Sequence, residues 1–204
     1  MARDAALLTA ADRTGAAFLR LYCWDPPCLS LGRNDPAIAR PGGGGGVATV
    51  RRPTGGRAVW HEHEVTYAVA APIAMFGRLR EAYRAIHERL ATALRSLGAD
   101  VTLAEDRPTV RLCDRPTACF AATVGGEVLA AGRKLIGSAQ ARRGAAFLQH
   151  GSILLDGSND TPNATTLRQV LGRSVTFEEV TAAIVAAWGE PLRSAADLAP
   201  LAAG

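Results

Sequence analysis

A chain of 204 residues, 48% hydrophobic and 21% charged, is long enough to bury one sizeable core, too short for two ordinary domains with an interface, and too apolar for a disordered chain. Its formal charge of +4 comes mainly from arginines scattered without a basic run, which argues against a dedicated nucleic-acid binder and leaves a mildly basic face suited to an acidic protein partner. The opening MARDAALLTAADRTG has no signal-peptide core and no window approaches a membrane span of about eighteen apolar residues. A cytoplasmic location is therefore expected, where the four cysteines, Cys23, Cys28, Cys113 and Cys119, are thiols and not a disulfide framework.

In chain order, Leu19 to Leu31 (LRLYCWDPPCLSL) has strand-like content on both sides of Pro26 and Pro27, and predicts two strands or a bent one. Pro41 and the five glycines from Gly42 to Gly46 have too much backbone entropy to lose for regular structure, and predict a loop. VATVRRP and VTYAVAAP are β-rich, with Val65, Tyr67 and Val69 alternating against Thr66, Ala68 and Ala70, so two strands flank TGGRAVWHEHE. Leu79, Tyr83, Ile86, Leu90, Leu94 and Leu97 recur at three- and four-residue steps, predicting an amphipathic helix that Gly98 stops; His87 on it is expected to be exposed. EVLAAGRKLIGSAQARR predicts a hairpin turning near Gly132, and FLQHGSILL a buried strand. Thr176 and Glu179 have capping-box spacing before a last helix that runs to Trp188 and stops at Gly189. Helices bracketing a central sheet place the chain in the α/β or α+β class, as one domain.

Three constellations carry chemistry. In RRPTGGRAVWH, residues 51–61, Arg51 and Arg52 accompany the glycine pair Gly55 and Gly56 in a turn between strands. Glycines let backbone amides approach a ligand and arginine binds its anionic part bidentately, which suits an acyl or phosphate-bearing substrate; a hairpin turn with solvated arginines has the same pattern. In GRKLIGSAQARR, residues 132–143, Lys134 faces the small Gly137, Ser138 and Ala139 on a predicted strand. Such a lysine can lose its proton or stabilise developing negative charge, and the alternative is a solvated lysine on a surface strand. In CDRPTACFAATVGG, Cys119 lies on a polar, proline-bearing loop where a nearby cation, Lys134 for instance, would favour the thiolate; a small buried apolar residue is the alternative. The pairs Cys23 and Cys28, Cys113 and Cys119, and His61 and His63 lack the spacing of a zinc site, so no metal is expected.

Taken in order, MARDAALL, LSLGRNDPA, RRPTGGRAVWHEHEVTYAV, GRKLIGSAQARR and LQHGSILL resemble the lipoate ligase and octanoyltransferase family, whose fold is related to the biotin ligase catalytic domain. The resemblance covers most of the chain. It implies a central mixed, largely antiparallel sheet flanked by helices, in a single domain over residues 1–204 that is shortened at both ends. It also implies substrate binding by Arg51, Arg52, Gly55, Gly56, Arg57, His61, Gly137, Ser138, Ala139, His150 and Gly151.

Within that family, ligases activate free lipoate with ATP, whereas octanoyltransferases take an acyl group from a carrier protein through a cysteine. Ligases usually carry a third glycine after the pair; Arg57 stands there, as in the cysteine-dependent branch. Cys119-Phe120 resembles that branch's nucleophile segment, although AATVGG follows where a proline, serine and aromatic stretch is usual. The resemblance thus implies Cys119 as nucleophile and Lys134 as its partner, backbone amides around Gly137 to Ala139 for the oxyanion, and an acyl slot walled by Ala58, Val59, Leu135 and Ile136. No cofactor is implied. Acyl carrier protein would be the donor, and lipoyl domains of 2-oxoacid dehydrogenases or the glycine-cleavage H protein the acceptor, with no nucleic-acid or membrane partner. An ATP-dependent ligase, an amidotransferase using octanoyl-H protein, and a non-catalytic binder of lipoyl domains or acyl groups are the alternatives.

Overall fold

The computed structural model describes residues 1–36, 47–105, 125–157 and 163–189. Helix α1 (Ala2–Thr14) ends on Gly15 in the left-handed conformation, and strands β1 (Phe18–Tyr22) and β2 (Cys28–Leu31) follow on either side of the Pro-Pro segment. Next come β3 (Ala48–Arg51), β4 (Val59–His61) and β5 (Glu64–Pro72), then helix α2 (Leu79–Ser96). The second half runs β6 (Thr102–Leu103), β7 (Val128–Ala130), β8 (Arg133–Lys134), β9 (Ile136–Arg143), β10 (Ala146–Leu154), α3 (Leu167–Leu171) and α4 (Phe177–Trp188). The strands predicted around residues 19–31, 47–53, 65–72 and 147–155 and the helices at 79–97 and 176–188 are all present. The short β4, β6 and α3 span less than two periods of any pattern and escape sequence reading.

The sheet β1-β5-β10-β9 is antiparallel throughout and carries the core. Val65, Tyr67, Val69 and Ala71 of β5 and Phe147 of β10 pack with Ile86, Leu90 and Leu94 of α2 and Val180 and Ile184 of α4, while Ala68, Ala70 and Leu148 meet Leu8 and Ala11 of α1. Both faces of β5 are thus covered, and its alternation sorts large side chains toward α2 and α4 and small ones toward α1. Burying each of the three aliphatic side chains of α2 contributes roughly 1.5–3 kcal/mol.

The expected single central sheet is accompanied by two smaller ones. Sheet β3-β2-β4 is mixed, with β2 parallel to β3 and antiparallel to β4, and β6-β7-β8 is antiparallel. The predicted hairpin turns where expected, at Ala131 and Gly132 with φ of 47° and 74°. Its second arm does not remain one strand. The Leu135 N–H donates to Val128 O, ending the small sheet, and the chain re-enters at Ile136 as β9 of the large one. Among the described residues no helix is long and apolar enough to cross a membrane.

Candidate functional site

The β9-β10 ladder sets Ala139 opposite His150, Ser138 opposite Gly151 and Gly137 opposite Ser152. These residues line one side of a small cleft. Arg52, Val59 and His61 line it as well, together with Ser30 and Thr66. Three segments read separately in the sequence therefore meet at one surface. Arg52, His61, Gly137, Ser138, Ala139, His150 and Gly151 line the cleft, while Arg51, Gly55, Gly56 and Arg57 do not. Of the expected slot residues, Val59 lines the cleft, whereas Leu135 and Ile136 are fully buried in the main core where the strand changes sheets. A Cβ at Gly151 would run into Gly137 O and Ser138 Oγ and lie 2.9 Å from the Tyr67 ring, so only glycine allows the floor to close this tightly.

Two histidines of the cleft are clamped between an acid and a hydroxyl. His61 Nδ1 meets Glu64 Oε1 at 2.7 Å and its Nε2 meets Ser30 Oγ at 2.6 Å, with the Trp24 ring stacked at 4.6 Å. Glu64 Oε1 also accepts from Thr66 Oγ1 at 2.5 Å and Ser152 Oγ at 2.9 Å, while its buried Oε2 has no partner among the described residues. His150 Nδ1 faces Asp4 Oδ2 at 3.2 Å and Nε2 faces Thr54 Oγ1 at 2.6 Å. Burial pulls the His150 pKa below its ordinary value despite Asp4, so the neutral ring donates through Nδ1 and accepts from Thr54. For Asp4, burial works to raise the pKa, but hydrogen bonds from His150, Tyr22 and Arg20 outweigh it and hold the carboxyl below its usual range.

The arginines of the first motif hold the turn. Arg52, buried, donates Nη1 to Ser30 O and Oγ at 3.0 Å each, Nε to Gly55 O at 3.2 Å, and Nη2 to Arg57 O. Arg51 donates to the carbonyls of Gly32, Arg33 and Asp35 at 2.5, 2.6 and 3.0 Å. The turn is pressed against Gly32, where a Cβ would strike Gly56 O. Gly32 belongs to LSLGRNDPA, and its need to be glycine becomes visible only in this contact.

Lys134 is buried, with Nζ 2.6 Å from Glu127 Oε1, and is not a solvated lysine on a surface strand. Lys134 lies on β8 and Gly137 to Ala139 on β9, on either side of the break at Leu135. Cys119, Cys113 and the loop that carries them lie outside the described residues, whereas Cys28 is buried and Cys23 exposed.

His87 is not exposed, as expected, but fully buried. Its Nδ1 lies 2.7 Å from Gly126 O, and its Nε2 2.8 Å from Ser138 Oγ and 3.2 Å from Tyr67 Oη. Burial is the main cause that pulls its pKa down to about 4, with the Lys134 charge acting in the same direction. The signal was in the spacing: position 87 is four beyond Tyr83 and three before Leu90, inside the apolar stripe.

Over residues 1–163 the sequence matches the lipoyl protein ligase A/B catalytic domain. The chain belongs to this family. It is 43% identical over 153 residues to the octanoyltransferase LipM of Moorella thermoacetica, covering 70% of this chain and 55% of that one. It is 44% identical over 172 residues to LipM of Kyrpidia tusciae, and 36% identical over 208 residues to LipM of Symbiobacterium thermophilum, where the match covers 85% of this chain and 74% of that one. The chain spans 55–61% of the length of the first three LipM relatives. The fold is shared with a lipoate-protein ligase A bound with ATP, at a TM-score of 0.73 and 20% identity over 92% of this chain and 77% of that one. It is shared too with a bi-partite lipoate protein ligase from Thermoplasma acidophilum, described with its E2 lipoyl domain, at a TM-score of 0.56 and 18% identity over the same shares.

Within this family fold, the cleft offers a narrow, mostly apolar floor rimmed by hydroxyls and two clamped imidazoles, which suits an acyl chain with a polar reacting end. The buried Lys134–Glu127 pair places a cation beside the start of β7, with Nζ 2.6 Å from Glu127 Oε1.

Proposed function

We propose that this chain is the catalytic domain of an octanoyltransferase that moves an octanoyl group from an acyl carrier protein to a lysine of a lipoyl domain, by way of Cys119. The observation that carries the reading is the meeting of residues from RRPTGGRAVWH, GRKLIGSAQARR and LQHGSILL at one cleft in a chain 43% identical to an octanoyltransferase. In the first step the Cys119 thiolate attacks the carrier thioester carbonyl, a Cys119 thioester forms and the carrier thiol leaves. In the second, the lysine amine attacks, an amide C–N bond forms, the C–S bond breaks, and the departing thiolate takes up the proton that the amine sheds. The energetic reason is that a thioester exchange is nearly neutral, whereas the amide is stable, so neither ATP nor a cofactor is required.

Lys134 is the partner of Cys119, its ammonium stabilising negative charge that develops on sulfur or on the carbonyl oxygen. Burying an eight-carbon chain contributes roughly 5 kcal/mol at about 0.8 kcal/mol per methylene, so a closed end to the acyl slot selects chain length. The acceptors are lipoyl domains of 2-oxoacid dehydrogenases or the glycine-cleavage H protein, and the setting is cytoplasmic.

Intact mass spectrometry after incubation with octanoyl-acyl carrier protein, followed by an apo lipoyl domain, tests this directly. An octanoyl adduct that passes to the acceptor and is lost in Cys119→Ala is the expected result. The fold shared with an ATP-bound ligase supports a second reading, ATP-dependent ligation. No adduct, with modification of the acceptor only when ATP and free octanoate are supplied, would establish the ligase instead.

A further inference from the structure

The β7-β8 hairpin and the first half of α2 meet around a buried ion pair, Lys134 Nζ at 2.6 Å from Glu127 Oε1. A carboxylate only accepts and an ammonium only donates, so one N–H of Lys134 is directed at this oxygen in a short, charge-assisted bond. Tyr83 Oη donates to the same oxygen at 3.3 Å. One turn further along α2, His87 packs edge-on against the Tyr83 ring, with ring centroids 4.3 Å apart. Its Nδ1 lies 2.7 Å from Gly126 O, and because a carbonyl only accepts, Nδ1 carries the proton. Two side chains of α2 thus hold the peptide before Glu127 and the Glu127 carboxylate itself.

The backbone at both ends of the pair is fixed as well. Gly126 N–H donates to Ala104 O at 2.8 Å, and Ala104 N–H donates to Glu127 O at 2.7 Å. Gly126 has φ of 84°, and a Cβ on it would lie 3.6 Å from Tyr83 Cδ1, so glycine lets the chain turn in close against α2. Lys134 N–H donates to Asn163 O at 2.7 Å, and Lys134 O accepts from Thr165 N–H at 2.9 Å. Fold stability does not call for such a pair, since taking two charges out of water offsets most of their attraction and an apolar pair of similar volume serves as well. What the arrangement secures is the location of a charge.

We infer that Glu127 is a positioning residue for acyl transfer: framed by Tyr83 and His87, it holds the Lys134 ammonium at one fixed point, so that the cation is in place before negative charge develops. This rests on the transfer reading above and on the part Lys134 takes in it. A cation that does not have to move when charge appears stabilises it without a cost of reorganisation. Glu127 acts through Lys134 and touches no substrate, and the ammonium neither gains nor loses a proton in either half-reaction.

Rapid quench and intact mass separate the rate constant of loading from its amplitude, the fraction of protein that takes up octanoyl from octanoyl-acyl carrier protein. Glu127→Gln is expected to lower the saturated rate constant by roughly tenfold to a hundredfold, the range for a hydrogen bond between charged groups, with the half-saturating donor concentration within about threefold of wild type. A Glu127 that only supports the fold would lower the amplitude and leave the rate constant of the folded fraction unchanged. Tyr83→Phe removes one hydroxyl and keeps the carboxylate; it is expected to slow loading by about twofold to fivefold with the same split, and it decides the case where Glu127→Gln does not fold. A wild-type rate constant in the deciding variant, or a loss confined to amplitude or to half-saturation, would overturn the inference while octanoyl transfer stands. Lys134→Met that loads as fast as wild type takes Lys134 out of the reaction and the inference with it, again leaving octanoyl transfer in place. Wild-type protein that takes up no octanoyl group overturns both.

Discussion

Acidification from pH 7 to pH 4.5 probes the buried imidazole under the cleft. His87 titrates near 6.5 when unfolded and about 4 when folded, so the unfolded chain binds the extra proton first. The stability this group confers is complete above the unfolded value and is lost as pH falls from 6.5 through 4. A gap of about 2.5 pH units corresponds to about 3 kcal/mol at the low-pH limit, at 1.36 kcal/mol per unit. Between pH 7 and 4.5 the linkage integral gives roughly 2.5 kcal/mol, since the unfolded imidazole is almost wholly protonated at pH 4.5 and the folded one about one quarter. Urea unfolding of wild type and His87→Gln at both pH values isolates the effect. His150 and Asp4 titrate in both proteins and cancel in the difference. The variant is expected to lose roughly 2.5 kcal/mol less than wild type on acidification, although it starts less stable at pH 7. Parallel losses in the two proteins would refute a neutral, buried His87.

Other substitutions test the walls of the site. Gly151→Ala forces a methyl group against Gly137 O, Ser138 Oγ and the Tyr67 ring; overpacking on a strand paired on both sides should cost roughly 1–3 kcal/mol and lower Tm by about 2–4 °C per kcal/mol in a chain of this size, and an unchanged melting curve would contradict it. Glu127→Gln takes the carboxylate from the buried Lys134 ammonium and should cost about 3–5 kcal/mol, of which Glu127→Gln with Lys134→Met recovers a large part in chemical denaturation. Thr176→Ala removes the cap that accepts from Glu179 N at 3.1 Å and should destabilise α4 by about 1 kcal/mol, read as earlier loss of amide protection in that helix.

The parts of the fold legible in the sequence are those in which burial imposes a period. In β5 the alternation of Val65, Tyr67 and Val69 with Thr66, Ala68 and Ala70 is the packing itself, large toward α2 and small toward α1. In α2 the stripe from Leu79 to Leu94 is the buried face, and the Thr176–Glu179 pair makes both bonds its spacing predicts. The motifs of the cleft were readable as motifs. Their meeting depends on register, His150 against Ala139 and Gly151 against Ser138, which no single segment encodes. The acids were illegible for the same reason. Asp4 looks like any first-turn aspartate, yet it is fully buried and bonds Arg20, Tyr22 and His150, and the last of these is 146 residues away.

The polarity of the cleft explains why its own hydroxyls do not supply the reactive group. Ser30, His61 and Glu64 stand at 2.6 and 2.7 Å, the spacing of a hydrolytic triad. Ser30, however, is fully buried and its Oγ accepts from the Arg52 guanidinium at 3.0 Å, which draws electron density away from the oxygen a nucleophile would use. Thr66 and Ser152 give their protons to Glu64. These hydroxyls spend their protons within the protein and are poorly placed to attack a ligand. Acyl transfer then needs a nucleophile and a source of positive charge from other segments, which are the parts that Cys119 and Lys134 take in the proposed reaction.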